Sequence, residues 1–538
     1  GVAQFKREVV DKYTIYNSLF AALPYSGVAN VGALLPILLQ ACEKGYAKDW
    51  SPNEIIDYFF SQHTSVDKEQ EKLDHLFKYV QYIERQVVLF DAIEDAAFDR
   101  VHDVSGNGTF KSLLRDARVL NSDAQLQSKV ERFKLRLVLT AHPTQFYPAN
   151  VLGIIHDLGD AIGKNEFNTI SQFIQQLGLT PFFNKKQPTP ALEAVNLMWY
   201  LEHVFYQSIG AIYSKMVTEV FDGSYQGANN FIELGFWPGG DRDGNPFVNA
   251  ETTLFVAKSL RTSIITCYYR DVRKLKRKLT FPQVDVLVNE LEAKLFENVF
   301  RPDQATPIAS AEILEQLEQI RQLVQASNYS LYLPALESFI HKVRLFGTHF
   351  AFLDIRQDSR IHHQVLEDIH LTLRKKTGTG LFPSNYSKLS VSEQIALLET
   401  LEGNLDPSDF SEPLTRDTIE TFYAIKKVQD LNGLAACHRY IISNAQSTLH
   451  VVELMTLFRL CGWERSLSSI DIIPLFETIT DLENAEEIMQ VLYSSSSYRG
   501  HLEQRQLKQT IMLGFSDGTK DGGYLQANWS IYKAKERL

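Results

Sequence analysis

Near its end the chain carries an apolar run, Ile511-Met512-Leu513, that breaks into a knot of charge, Gly514-Phe515-Ser516-Asp517-Gly518-Thr519-Lys520-Asp521-Gly522-Gly523. Asp517 is a hard oxygen donor suited to a divalent cation, and Lys520, three residues on, suits an anion. A solvated turn would use the same residues. The pattern recurs upstream. Leu135–Leu139 runs into Thr140-Ala141-His142-Pro143-Thr144, where Pro143 forces an extended or turning backbone after the imidazole. The alternative for His142 is a structural histidine. Phe231–Trp237 runs into Pro238-Gly239-Gly240-Asp241-Arg242-Asp243-Gly244-Asn245-Pro246, a rigid polar loop that lacks the glycine and terminal glutamate spacing of an EF-hand. Phe350–Ile355 is tipped by Arg356, whose planar fork suits a phosphate or carboxylate, or else pairs with Asp354 or Asp358. Ile470–Phe476 ends on the carboxylate of Glu477.

The elements that must position these side chains read as strands at about 135–144, 231–237, 350–360, 440–444, 470–477 and 511–515. Each is closed by polar residues and followed by helical sequence. From the fourth strand onward the spacing is that of βα units, and helices are expected from Val451 and from Tyr524 to Glu536. Long helical excursions occupy about 150–225 and 252–343. The fold class expected is α/β, mostly helical: a TIM-like parallel β-barrel with six of its eight strands present and large helical insertions. An open doubly wound sheet is the alternative, but no G-x-G-x-x-G fingerprint supports a dinucleotide fold. Residues 1–133 form a helical region and residues 134–538 the barrel. In the first region Leu73, Phe77, Val80, Ile83 and Val87 recur at helical spacing, with charge on the other faces, and the aromatic residues are expected in a core.

Bulk composition narrows the classes further. Hydrophobic residues make up 44% of the 538 positions and charged residues 22%, an ordinary globular balance with ample core. The net charge of −11 argues against a nucleic-acid surface. An anionic substrate then requires local Arg or Lys and a metal. Cys42, Cys267, Cys437 and Cys461 form no metal-ligand spacing, as expected of a reduced, cytoplasmic chain. The apolar stretch from Gly27 to Cys42 is too interrupted for a membrane span and lacks the basic start of a signal peptide.

Taken together, the motifs resemble those of phosphoenolpyruvate carboxylases. The resemblance rests on Thr140-Ala141-His142-Pro143-Thr144, Gly239-Gly240-Asp241-Arg242-Asp243-Gly244-Asn245-Pro246, Leu353-Asp354-Ile355-Arg356-Gln357, Pro474-Leu475-Phe476-Glu477, and Gly514-Phe515-Ser516-Asp517 with Lys520-Asp521, in the family's order. It implies a Mg²⁺- or Mn²⁺-dependent enzyme that joins phosphoenolpyruvate and bicarbonate to give oxaloacetate and phosphate, through carboxyphosphate and the enolate of pyruvate. It further implies that Glu477 and Asp517 hold the metal and that Arg356 holds the phosphate. By the same resemblance Trp237 and Leu475 wall the methylene, His142 assists carboxyphosphate breakdown and helps hold CO₂, and Arg242 and Lys520 add positive charge. The family is typically tetrameric, so a homo-oligomer is implied for the full-length enzyme. Another phosphoenolpyruvate-using barrel enzyme, or a module that only binds phosphoenolpyruvate and metal, is the competing reading.

Three departures stand out. Phe146-Tyr147 follows the histidine motif where the family carries an Arg pair, and Arg360 sits one place early, with Ile361 in the usual position. The family's Phe-His-Gly-Arg-Gly-Gly loop is expected after the last helix, and the sequence stops at Leu538. The resemblance therefore implies an amino-terminal fragment that is inactive by itself. Oxaloacetate formation by the purified chain would contradict this expectation.

Overall fold

The computed structural model describes residues 1–23, 31–140, 147, 149–182, 188–221, 223 and 231–538. The chain divides into two units: Gly1–Asn121 with His142–Gln187, and Ser122–Ala141 with Pro188–Leu538. Among the described residues the first unit is helical, and the strands all belong to the second.

The first unit is built on a long helix, Glu69–Val101. Its buried face carries Tyr79, Tyr82, Leu89, Ala92 and Ile93, packed with Phe20, Phe59, Phe60, Leu158 and Ile174. The helical spacing of Leu73, Phe77, Val80, Ile83 and Val87 is present, but these five side chains lie 43–51% exposed on the other side. The helix carries two apolar stripes, and periodicity does not say which one faces inward. Arg85 settles the matter locally. It is buried within the inner face and donates to the Leu177 and Thr180 carbonyls at the end of the helix Phe167–Leu179, as well as to Gln81 O. Its planar fork thereby satisfies the Leu177 and Thr180 carbonyls, which have no intrahelical partner at that helix end.

Among its described residues the second unit carries seven short strands, all paired in parallel. They are β1 (Leu135–Leu139), β2 (Ile232–Phe236), β3 (Phe352–Leu353), β4 (Ile355–Asp358), β5 (Arg439–Ser443), β6 (Asp471–Phe476) and β7 (Met512–Leu513). One sheet runs β1-β2-β3 and the other β4-β5-β6-β7. The segment expected as one strand at 350–360 is split at Asp354, and its end, from Ser359, is already helix. The two sheets meet across that split. The Asp354 N–H donates to Phe236 O, the Arg356 N–H to Gly240 O and the Arg242 N–H to Arg356 O, at 3.2, 3.0 and 2.9 Å. No pairing of β1 with β7 closes the series among the described residues. This is a mostly helical α/β fold with parallel sheets.

The polar residues that close the strands also start the helices. Asn249, Asp358, Ser447 and Thr478 each accept a backbone N–H of the following helix, beginning at Ala250, Ser359, Thr448 and Ile479 respectively. Such caps are worth about 1 kcal/mol each. The charged knot after β7 departs from the expected loop. It is helical from Ser516, within one element that runs to Arg537 and kinks at Gly523, where φ is 78°.

A Cβ on Gly240 would stand 2.0 Å from the Asp354 carbonyl oxygen, so only glycine permits this approach of the loop to the split strand. Gly240→Ala is expected to lower stability by about 1–3 kcal/mol, as overpacking against immovable backbone does. A reduced urea midpoint would show it, and an unchanged one would contradict the close approach.

Candidate functional site

Trp237, Leu475, Glu477 and Asp517 lie at or beyond the carboxyl ends of β2, β6 and β7, and Arg356 lies within β4. Alternation along β6 puts Ile473, Leu475 and Glu477 on one side. Leu475 packs with Ile441 and Ile473, and Trp237 and Met512 close over this cluster. Trp237, one residue beyond β2, lies with its ring 5.2 Å from the Arg356 guanidinium carbon, a cation–π distance.

Arg356 does not pair with Asp354 or Asp358, the partners open to it from spacing. Its Nη2 donates to Asp243 Oδ2 at 2.7 Å and lies 4.0 Å from Glu477 Oε1. Its buried Nε finds no hydrogen-bond acceptor among the described residues, with Asp241 Oδ1 3.6 Å away. The site thus holds a spare, forked donor aimed among carboxylates. Burial works against the guanidinium's charge, but Asp241 and Asp243 outweigh it and raise its pKa. Burial pushes the Asp241 carboxyl up to about 6 against the pull of Arg356.

Glu477 is also pushed up, first by burial and further by the negative charge of Asp517, while Arg356 and the Asn444 N–H pull the other way. That N–H donates to Glu477 Oε2 at 3.3 Å. Asp517 is brought to the site because the Gly514 N–H donates to Phe476 O at 2.8 Å, fixing the end of β7 beside the end of β6. A carboxylate whose ionisation a second carboxylate opposes fits a divalent cation, which commonly takes one or two carboxylates plus water and substrate oxygens. Among the described residues no three His, Cys, Asp or Glu groups converge in metal-binding geometry. Lys520 is ion-paired with Asp517 at 2.9 Å and is mostly exposed.

Arg242 points elsewhere. Its side chain is buried and donates to Asp417 and Thr421 on the helix Pro413–Asn432. Along the loop the side chains of 241, 242 and 243 alternate, so both aspartates meet Arg356 and the arginine between them faces the other way. Trp237, Asp241 and Asp243 line a cleft of about 180 Å³. Arg242 lines a larger cavity of about 770 Å³ with Arg360 and Asp417. His142 lies outside the described residues.

The sequence reading overlooked Asp241 and Asp243 as partners of Arg356, although their alternation about Arg242 carries that signal. It also overlooked the Asn444 N–H, for which no local pattern exists.

Carboxylates and a stacked arginine at the carboxyl ends of parallel strands are the arrangement by which α/β proteins hold small charged ligands. The family model described as phosphoenolpyruvate carboxylase matches residues 91–305 and 291–538, and the chain belongs to that family. Phosphoenolpyruvate carboxylase of Gloeobacter violaceus is 26% identical over 509 residues, covering 81% of this chain and 53% of that protein. The Corynebacterium diphtheriae enzyme of the same name is 29% identical over 510 residues, covering 83% and 55%. One from a Synechococcus species is 28% identical over 515 residues, covering 80% and 48%. The chain spans about half the length of the curated relatives it matches.

The raised Asp241 carboxyl gives a signed pH dependence. Between about pH 4 and pH 6 the folded state retains a proton that the unfolded chain has lost, so stability falls as pH rises through that window. Asp241→Asn removes the component. The variant's stability relative to the native protein should climb from about pH 4 to about pH 6 and then level off. Urea titrations across that range check it, and a pH-independent difference would contradict it.

Proposed function

We propose that the protein carboxylates phosphoenolpyruvate with bicarbonate, giving oxaloacetate and phosphate. The observation that carries this reading is the meeting of Arg356, Glu477, Asp517 and Leu475, residues from three of the family's motifs, with Trp237, which lies two residues before a fourth. Arg356 takes the phosphate with its spare Nε and with Nη2, the latter by displacing Asp243. Bicarbonate attacks phosphorus, carboxyphosphate and the enolate form, and the enolate's methylene carbon captures the CO₂ released. Trp237 and Leu475 form the dry wall beside that carbon. His142 assists carboxyphosphate breakdown and helps hold CO₂, a role carried over from the family motif.

Glu477 and Asp517 hold Mg²⁺ or Mn²⁺. When bound, the ion supplies positive charge to the oxygen that becomes the enolate's. Lys520 and Arg242 add to the positive field around the anions. Both now stand paired with carboxylates, and Lys520, on the surface, is the freer to turn.

We further read the parallel strands as six of the eight in a TIM-like barrel, with residues 1–133 as a helical region before it and insertions at about 150–225 and 252–343. The enzyme is proposed to act in the cytoplasm as a homotetramer, with neither nucleic acid nor membrane as partner. The acidic balance speaks against a nucleic-acid partner, and among the described residues no helix is long and apolar enough to cross a membrane.

Calorimetric titration of phosphoenolpyruvate into the chain, with and without Mg²⁺, tests the site. Metal-dependent binding is expected, lost in Glu477→Gln and weakened about 100-fold in Arg356→Gln, the cost of removing one partner of a buried charge-assisted pair. Binding indifferent to Mg²⁺ and to both substitutions would overturn the assignment. Bicarbonate-dependent oxaloacetate formation by the full natural protein tests the reaction.

A further inference from the structure

Trp237 is held from its edge as well as from its face. Its Nε1–H donates to Asp354 Oδ2 at 3.1 Å. The other oxygen of that carboxylate, Oδ1, accepts from Arg136 Nη2 at 2.6 Å. Asp354 is only 2% exposed. Arg136 is fixed in turn, with Nη1 donating to Glu233 Oε2 at 3.0 Å and its guanidinium carbon 5.3 Å from the Phe352 ring. It reaches from β1 across β2 to the break between β3 and β4 because β2 has a glycine in its path. A Cβ on Gly235 would meet Arg136 Nη2 at 3.0 Å and Nε at 3.1 Å. Burial works against the Glu233 charge, yet Lys134 and Arg136 outweigh it and hold its carboxyl below the usual range. This chain of charge runs through the sheet and ends on the indole.

We propose that Asp354 and Arg136 are positioning residues that pin the Trp237 indole and so set how much of the enolate is carboxylated rather than protonated. The inference rests on the carboxylase reading above. When the wall is in place, C3 of the enolate bonds to CO₂. When the indole tilts, water enters and C3 takes its proton, leaving pyruvate and hydroxide, while carboxyphosphate still breaks into CO₂ and phosphate. Both outcomes release one phosphate, so the ratio of products reports the wall and not the overall rate.

Asp354→Asn is the informative change. The amide has one acceptor oxygen and cannot serve both Arg136 and Trp237, and Arg136, as the charged donor, takes it. In protein labelled with ¹⁵N-tryptophan the five indoles give separate resonances, and Trp237→Phe identifies the one from Trp237. That resonance is expected to move upfield by more than its line width in Asp354→Asn and in Arg136→Met. In the full natural protein the pyruvate-to-oxaloacetate ratio is expected to rise about tenfold, as when one hydrogen bond's worth of restraint is lost, with phosphate release little changed. Gly235→Ala, which keeps every charged group and crowds Arg136 and the tip of Val138, should move both readouts the same way and serves if Asp354→Asn does not fold.

An unmoved Trp237 resonance overturns the proposal, and so does a moved resonance with an unchanged product ratio. A native protein that consumes no phosphoenolpyruvate overturns the carboxylase reading instead, and the resonance alone then decides whether Asp354 and Arg136 hold the indole.

Discussion

The backbone of Gly240 lies so close to the Asp354 carbonyl that no side chain fits between them. That approach lets the loop after β2 continue the hydrogen-bond pattern past the end of the strand, with Arg356 donating to Gly240 and Arg242 to Arg356. Pairing of this kind imposes alternation on the loop. It sends Asp241 and Asp243 to one side, toward the guanidinium, and Arg242 to the other, into Asp417. It also leaves Trp237 beside Arg356 and within reach of Asp354. Placement of the site's central residues therefore follows from one contact between two backbones.

The electrostatics of the site are uneven. Asp241, Asp243, Glu477 and Asp517 gather about Arg356 and Lys520 in a protein that is already acidic. The imbalance shows in Asp241 and Glu477, whose carboxyls both resist ionisation. A divalent ion held as proposed by Glu477 and Asp517 would offset the surplus, and an anion would then meet a far less hostile field. Attraction here depends on local arrangement, since the molecule's overall charge repels such a ligand.

Much of this was legible in the sequence, where the signal was local. Abrupt passage from apolar run to charge located β1, β2, β5 and β6 and the helices after them, because strand ends and helix caps draw on the same polar residues. It overstated β7, which pairs over only Met512–Leu513, and took the helical turn after Phe515 for a loop. A glycine pair signals a break, yet the break falls at Gly523 alone. Periodicity found the helix Glu69–Val101 but not its inner face, since both stripes are apolar and only the tertiary partners of Arg85 distinguish them. The same limit applies at the site. Arg356 was visible as a candidate anion ligand, but its partners lie more than a hundred residues upstream, and the alternation of Asp241 and Asp243 about Arg242 tells only that they share a side, not which residue they meet.

Arg85, Arg261 and Arg459 are all buried, and each donates to backbone carbonyls: Leu177, Thr180 and Gln81; Leu431 and Ile308; Leu398 and Leu401. Carbonyls do not titrate, and buried contacts are little screened by salt. The helix ends and connections joined this way are therefore insulated from the pH changes that alter Asp241 and Glu477. Reactive groups can gain and lose protons while the scaffold around them keeps its shape. Lysine could not take over the task, because a single ammonium lacks the flat, many-toothed reach that bridges separate turns of backbone.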